Sequence, residues 1–213
     1  YHQVPMVQFN LVLGTGTTAD PDGKPGTANL TTRKIDEGTE KRTALQVADE
    51  LDFIGASISA STTYDGSFVN LQTLKEHVST ALDICSDVLL HATFPQKEFD
   101  RIKKDALTSL IQQKDQPVII ANKIFASKLY GDGHPYGRPS DGNEASVNKI
   151  TIDDLKAFYG AYFEPNNATL IVVGDVSLSE LVPMLERMLG HWKSKPAVET
   201  PLPQPSGEGK AAI

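Results

Sequence analysis

A two-residue turn signal between two strand-forming segments does most to limit how this chain can fold. The segments Ile58–Tyr64 and Ser67–Leu74 are separated only by Asp65–Gly66. An Asp-Gly pair between two strand-forming segments is a strong local signal for a β-hairpin. Two further strands are predicted, at Met6–Leu13 from its branched and aromatic residues and at Ala168–Val173 from its apolar run. The sheet therefore contains at least one antiparallel pair.

Helical periodicity accounts for most of the remaining chain. Thr43 and Gln46 form a capping-box pattern before one helix, and Ser177 is the predicted cap of the last helix. Apolar spacings of three and four predict helices over residues 28–38, 44–54, 78–89, 95–110, 117–129, 153–163 and 177–189. The order is strand, two helices, hairpin, four helices, strand and helix. Strands and helices do not alternate one by one in this order, because a hairpin is followed by a run of four helices. The order therefore favours an α+β fold, with an antiparallel or mixed sheet covered on one face by helices.

The last part of the chain is typical of a linker. Four prolines stand close together there, at positions 196, 201, 203 and 205, and two glycines follow them. We therefore expect one folded domain over residues 1–195 and a linker over residues 196–213 that leads to a further domain outside this sequence. The chain opens at Tyr1 without a methionine or a signal-type leader, so we expect it to be a piece of a longer protein.

Composition excludes several classes of function. The chain has 20 Lys and Arg against 27 Asp and Glu, a net charge of −7, and no basic cluster. A nucleic-acid partner is therefore not expected, since phosphate contacts need clustered Lys and Arg. No stretch approaches the roughly 20 apolar residues of a membrane span. None of the five histidines has another within a dozen residues, which disfavours a zinc site built on histidine pairs.

Three local features each have a chemical and a structural interpretation. His134 could belong to a site, but its turn-rich surroundings favour an imidazole that caps a backbone carbonyl. Cys85 could be a nucleophile, but its place in an apolar helical stripe favours a buried, inert thiol. The glycines of loop 14–26 lack the strand–GxGxxG–helix register of a dinucleotide site, which favours a flexible surface loop.

Four stretches, taken together in their order, resemble the pitrilysin/insulinase family of zinc peptidases, which carry an inverted HxxEH motif. They are VPMVQFNLVLGTGTTADPDGKPGTANL, FPQKEFDRIKKDALTSLIQQKDQP, HPYGRP and FYGAYFEPNNATLIVVGDVS. The resemblance runs from Val4 to about Lys193. It implies the α+β fold of the mitochondrial-processing-peptidase-like metallohydrolases.

The same resemblance implies that the zinc site of this chain is degenerate. In the family's register, Asn29 and Arg33 stand where the two zinc-binding histidines are expected, and Thr32 stands where the general-base glutamate is expected. The third ligand belongs to a Glu-Glu pair on a later helix, and here that pair is Thr108 and Ser109. All three ligands and the base are therefore missing. No cofactor is expected in this chain, and zinc is expected in a catalytic partner half.

Zinc binding at this register would lack ligands and would also be opposed by electrostatic repulsion. Zinc hydrolysis needs three ligands and an open position for water, together with a carboxylate that takes a proton. The guanidinium of Arg33 would instead face the ion. Two unit charges 4 Å apart repel by about 4 kcal/mol at an effective dielectric of about 20, and a divalent ion doubles this.

The resemblance suggests a role without catalysis. Family members commonly pair a zinc-bearing half with a degenerate half around a chamber, where substrate peptides pair with a sheet edge. We expect this chain to be a domain of the degenerate half, with a homologous zinc-bearing subunit or domain and a peptide substrate as partners. The Arg/Tyr pair that such partners supply would lie on a second domain. The family suggests a bacterial envelope as the compartment.

Two alternatives stay open. The chain could be the inactive half of a single-chain active zinc metallopeptidase whose HxxEH half lies outside this sequence. It could also be a purely structural assembly subunit, like the core subunits of a respiratory complex.

Overall fold

The computed structural model describes residues 4–196, 198 and 200–204 of the chain, and one antiparallel sheet organises them. Its four strands have the spatial order β2-β3-β1-β4. They are β1 Met6–Leu13, β2 Ser57–Thr62, β3 Ser67–Leu74 and β4 Ala168–Gly174. β2 and β3 form the predicted hairpin, with Thr62 opposite Ser67. The predicted α+β fold and its antiparallel sheet are confirmed.

The described residues also contain eight α-helices. They are α1 Thr27–Arg33, α2 Ala44–Phe53, α3 Val78–Leu90, α4 Gln96–Gln112, α5 Pro117–Tyr130, α6 Glu144–Lys149, α7 Ile152–Tyr162 and α8 Leu178–Leu189. The capping box of Thr43 and Gln46 begins α2, and the hydroxyl of Ser177 caps α8. Both predicted helix starts are therefore confirmed.

Two helix predictions need correction. The first helix was expected to reach Gly38, but α1 ends at Arg33 and the chain turns, which buries Ile35 in the core. Helix α6 was not predicted, because six residues are too few to show an apolar period. Its start is nevertheless encoded locally, since Asn143 and Ser146 form a reciprocal capping box.

The two faces of the sheet differ in burial, as the alternation of β1 requires. Val7, Phe9, Leu11 and Leu13 are buried on one face, where α3, α7 and α8 contribute to the same apolar core. The intervening Gln8 points to the other face and is exposed. The described helices thus cover one face of the sheet, as predicted.

A second apolar cluster joins α1 to helices far along the chain. Leu30 of α1 belongs to the same buried cluster as Ile102 and Leu110 of α4 and Leu155 of α7. The side chain of Lys24, just before α1, also binds Asp154 of α7, with a distance of 2.6 Å between Nζ and Oδ2. Helix α1 is therefore held by the packing of Leu30 and by an ion pair just before its first residue.

Loop 14–26 is packed against the hairpin, so the expectation of a flexible surface loop is wrong. The backbone N–H groups of Thr17 and Thr18 donate to the carbonyls of Thr63 and Tyr64, each at 3.0 Å. A Cβ on Gly16 would lie only 2.2 Å from the Thr63 carbonyl oxygen. Glycine is required here because the two backbones approach too closely for a side chain.

The predicted linker lies partly outside the described residues, since residues 197, 199 and 205–213 are not described. Within the described part, the carbonyl of Pro203 accepts a hydrogen bond from His134. The division into a domain over residues 1–195 and a linker over residues 196–213 stays a prediction. Across the described residues, no helix combines the length and the apolar character needed to cross a membrane.

Candidate functional site

Helix α1 begins at a backbone turn that a buried carboxylate organises. Gly26 is the N-cap residue and has a φ of 101°, a left-handed conformation that favours glycine. The carboxylate of Asp20 accepts hydrogen bonds from the N–H groups of Gly26 and Ala28, both at 2.7 Å. Burial raises the pKa of Asp20 to about 7, although these two donors and the charge of Arg138 act to lower it.

Thr32, at the predicted general-base position, is fully buried and belongs to a network of hydroxyl groups. Its Oγ1 donates to Oγ of Ser67 at 3.3 Å, and Ser67 Oγ donates to the Thr15 carbonyl at 2.8 Å. Thr62 Oγ1 lies 3.4 Å from the same Ser67 oxygen. The hydroxyls satisfy one another and join α1 to the hairpin and to loop 14–26. This environment contains alcohols where hydrolysis would need a carboxylate.

Asn29 and Arg33, at the predicted histidine positions, lie on one face of α1 because they are four residues apart. Asn29 is half-buried and Arg33 is exposed. Thr108 and Ser109 are exposed on α4, and Thr108 Oγ1 donates to the Lys104 carbonyl of its own helix at 3.0 Å. The two helices share an apolar cluster, but none of these four side chains supplies an acidic, thiol or imidazole ligand.

Over the residues that the structure describes, no three His, Cys, Asp or Glu side chains are grouped so that they could hold a metal ion. The residues at the predicted zinc positions are likewise poor ligands, since zinc in proteins is bound by Cys, His, Asp and Glu. The side chains present in this part of the chain do not fit a zinc ion.

His134 and Cys85 have the structural roles that their sequence contexts favoured. Nε2 of His134 donates to the Pro203 carbonyl at 2.9 Å, while Nδ1 accepts from the Tyr136 N–H at 3.1 Å. The interpretation of His134 as a carbonyl cap is therefore confirmed. Cys85 packs against the main core, and burial raises the pKa of its thiol to about 12. A thiol with that pKa is protonated at neutral pH, which agrees with an inert role, although Cys85 is half-buried and not fully buried as predicted.

Sequence reasoning did not single out Asp20 or Ser67. Asp20 lies six and eight residues before the N–H groups that it accepts from, so no capping-box spacing marks it. Ser67 occupies the first position of a strand and reaches Thr32 across 35 residues of sequence. Only the alternation of β3, which directs Ser67 to the covered face, hints at its burial.

The strand beside α1 has an open edge. In the described sheet, β2 pairs with β3 on one side only. The Thr63 N–H donates to the Gly66 carbonyl at 2.8 Å. From this pair onward, every second residue of β2 is hydrogen-bonded to β3, as in any antiparallel pair of strands. Residues 58, 60 and 62 therefore direct their N–H and C=O groups away from β3. Thr62 Oγ1 donates to the Ala28 carbonyl at 3.5 Å, which places this edge next to α1.

Comparison with known proteins identifies the family. Residues 2–135 match the family model described as insulinase, peptidase family M16. The chain belongs to the M16 peptidase family. Residues 149–212 of this M16 chain match a second model, described as the peptidase M16 inactive domain. The resemblance inferred from the sequence is therefore confirmed.

Relatives of the M16 chain include proteins named as peptidases and one named otherwise. It is 25% identical over 189 residues to the uncharacterized zinc protease YmxG of Bacillus subtilis, covering 89% of this chain and 46% of the relative. It is 24% identical over 200 residues to the non-peptidase homolog YmxG of Helicobacter pylori, covering 94% and 46%. The chain thus spans just under half the length of these relatives.

The M16 chain is also similar to a solved structure, the peptidase M16 inactive domain from Pseudomonas fluorescens. The TM-score is 0.89 at 28% sequence identity, and the match covers 97% of this chain and 50% of the solved chain. The two proteins therefore share the fold over nearly the whole of this chain.

The environment of Asp20 gives a testable pH dependence. Its pKa rises from 3.8 to about 7 on folding, so between these values the folded state holds the extra proton. Stability is then greatest below pH 4 for this group and falls as the pH rises towards 7, by up to about 1.4 kcal/mol per pH unit. Asp20→Asn resembles the protonated carboxyl and should flatten this slope, measured by urea unfolding at pH 5, 6 and 7.

Asp22→Asn is the matched control, because it removes a fully exposed carboxylate from the same loop. It should keep the native slope. An Asp20→Asn variant with the native slope would contradict the account of this buried carboxylate.

Proposed function

We propose that this chain is a non-catalytic domain of an M16 zinc peptidase, which pairs with a zinc-bearing half to form a peptide-binding chamber. The observation that carries the proposal is the state of α1. The helix is capped, packed and buried against the sheet, yet an amide, a hydroxyl and a guanidinium stand at its predicted site positions, Asn29, Thr32 and Arg33. The scaffold of the site is intact while its ligand chemistry is missing.

The charges of these residues support separate roles for this chain and for a zinc-bearing partner. A permanently charged Arg33 opposes a divalent ion, and the buried hydroxyl of Thr32 cannot act as a base near neutral pH. Thr108 and Ser109 offer only neutral hydroxyls on α4. Zinc and the general base would therefore come from a homologous subunit or domain, and this chain would contribute to substrate enclosure.

The open edge of β2 supports a role in peptide recognition. An extended peptide can add a strand to such an edge, with main-chain hydrogen bonds supplying affinity. The N–H and C=O groups of Ile58, Ala60 and Thr62 are directed outward and lie beside α1. The sequence alone did not distinguish between the two edges of the sheet. The edge strands are β2 and β4, and β2 is the one that lies next to the predicted site.

A second candidate is the inactive half of a single-chain active zinc metallopeptidase. The length comparison favours it, because the chain spans 46% of a Bacillus subtilis relative that is named as a zinc protease. The Helicobacter pylori relative of similar coverage is named as a non-peptidase homolog, which favours the non-catalytic reading of the whole protein. An HxxEH motif elsewhere in the same polypeptide would decide for the single-chain enzyme.

The proposed register can be tested by restoring the ligands. Asn29→His and Arg33→His, combined with Thr108→Glu or with Ser109→Glu, should create zinc binding that the native chain lacks, measured by calorimetry. Thr32 is left unchanged, because it is not a ligand position and its replacement would bury a new carboxylate. Neighbouring helical residues point about 100° apart, so one of the two glutamates should bind zinc more tightly than the other.

The two glutamate variants control for each other, and circular dichroism verifies that both are folded. Zinc binding in neither folded variant would contradict the register. Equal binding in both would contradict the assignment of a single third-ligand position.

The proposed peptide edge can be tested at Ala60. Ala60→Pro removes an outward N–H from an edge strand without removing a hydrogen bond to β3. In the full-length protein, assayed with an HxxEH-bearing homologue of the same organism, it should raise KM for an extended peptide about tenfold. Ala60→Ser keeps the N–H group and should behave as the native protein does. An unchanged KM in Ala60→Pro would reject the β2 edge, and a mixture without peptidase activity would reject the pairing.

A further inference from the structure

Helix α5 exposes apolar side chains that the described part of the domain does not cover. None of its 14 residues is buried, whereas seven of the 13 residues of α3 are buried. Val118, Phe125 and Leu129 form one stripe along α5, at spacings of seven and four. Their exposed fractions are 72%, 67% and 49%. Contiguous apolar surface of this kind marks an interaction site.

The body of the domain contacts a different side of α5, about 100° around the helix from this stripe. Ile119, Lys123, Ala126 and Tyr130 are half-buried and recur at helical spacing on that side. Lys123 is paired there with Asp141, with 3.1 Å between Nζ and Oδ1. The stripe of Val118, Phe125 and Leu129, which we call the α5 stripe, is therefore a separate surface that the described part of the domain does not cover.

The backbone that follows the last helix returns to the end of α5. Tyr130, the last residue of α5, stacks on His134 with ring centroids 5.2 Å apart. His134 is 5% exposed and donates to the Pro203 carbonyl at 2.9 Å. The backbone at Pro203 is therefore linked through His134 to the last residue of α5, although the sequence separates it from α5 by more than 70 residues.

The length comparison indicates what could cover the stripe. The chain matches 46% of the length of two relatives and 50% of the solved Pseudomonas fluorescens chain. The unmatched part of each of these proteins is therefore about as long as this chain. We propose that the α5 stripe is the docking surface for the corresponding domain-sized half of the parent polypeptide. A tether that runs past His134 would give that half a high local concentration beside α5. This proposal does not depend on where zinc is bound.

The test compares amide hydrogen exchange over residues 117–130 in the full-length protein and in its Phe125→Ser variant. Phe125 is 67% exposed within this domain, so the substitution leaves the domain folded. If the other half covers the stripe, exchange should be at least about tenfold faster in the variant. Phe53→Ser is the matched control, because Phe53 is 90% exposed on α2 and is not part of the stripe. It should leave the exchange of residues 117–130 unchanged.

Three results would overturn the proposal. One is equal exchange in the native and Phe125→Ser proteins. Another is protection that appears only when an extended peptide is added, since the occupant would then be substrate. The third is protection that increases with protein concentration, since the occupant would then be a second copy of the chain.

Discussion

Strand β1 pairs with β3 on one side and with β4 on the other, and the remaining architecture depends on this double pairing. The register with β3 fixes the hairpin, and the register with β4 brings the last helix onto the same core. Val7 to Leu13 alternate strictly in burial, so a shift of one residue would expose the entire apolar set. The helices can therefore cover only one face of the sheet, and the edge strand β2 comes to lie beside α1.

Helix α1 is held by contacts with three other parts of the domain. Its first turn is organised by the carboxylate of Asp20, its entry is tied to α7 through Lys24 and Asp154, and its last turn is tied to β3 through Thr32 and Ser67. These contacts join α1 to loop 14–26, α7 and β3, while Leu30 shares an apolar cluster with α4. On the proposed register, this M16 domain keeps its fold with neutral or cationic residues at the ligand positions.

Much of this fold follows from local sequence. The Asp65–Gly66 turn, the alternation of β1 and the capping residues Thr43 and Ser177 each act over a few residues, and each produced the structure that it predicted. The misses arise where distant residues decide the outcome. Helix α1 is cut short because Ile35 enters the core, and loop 14–26 is fixed by backbone contacts with residues 63 and 64. Asp20 and Ser67 escaped notice because their partners lie outside any local motif.

The central claim is that this domain lacks a zinc site of its own. Elemental analysis of the purified 213-residue chain, after incubation with zinc and dialysis, tests it most directly. Circular dichroism on the same sample establishes that the chain is folded. The account predicts zinc at less than about one tenth of an equivalent, since the described residues contain no set of ligands that would retain it. One zinc ion per folded chain after dialysis would contradict the account.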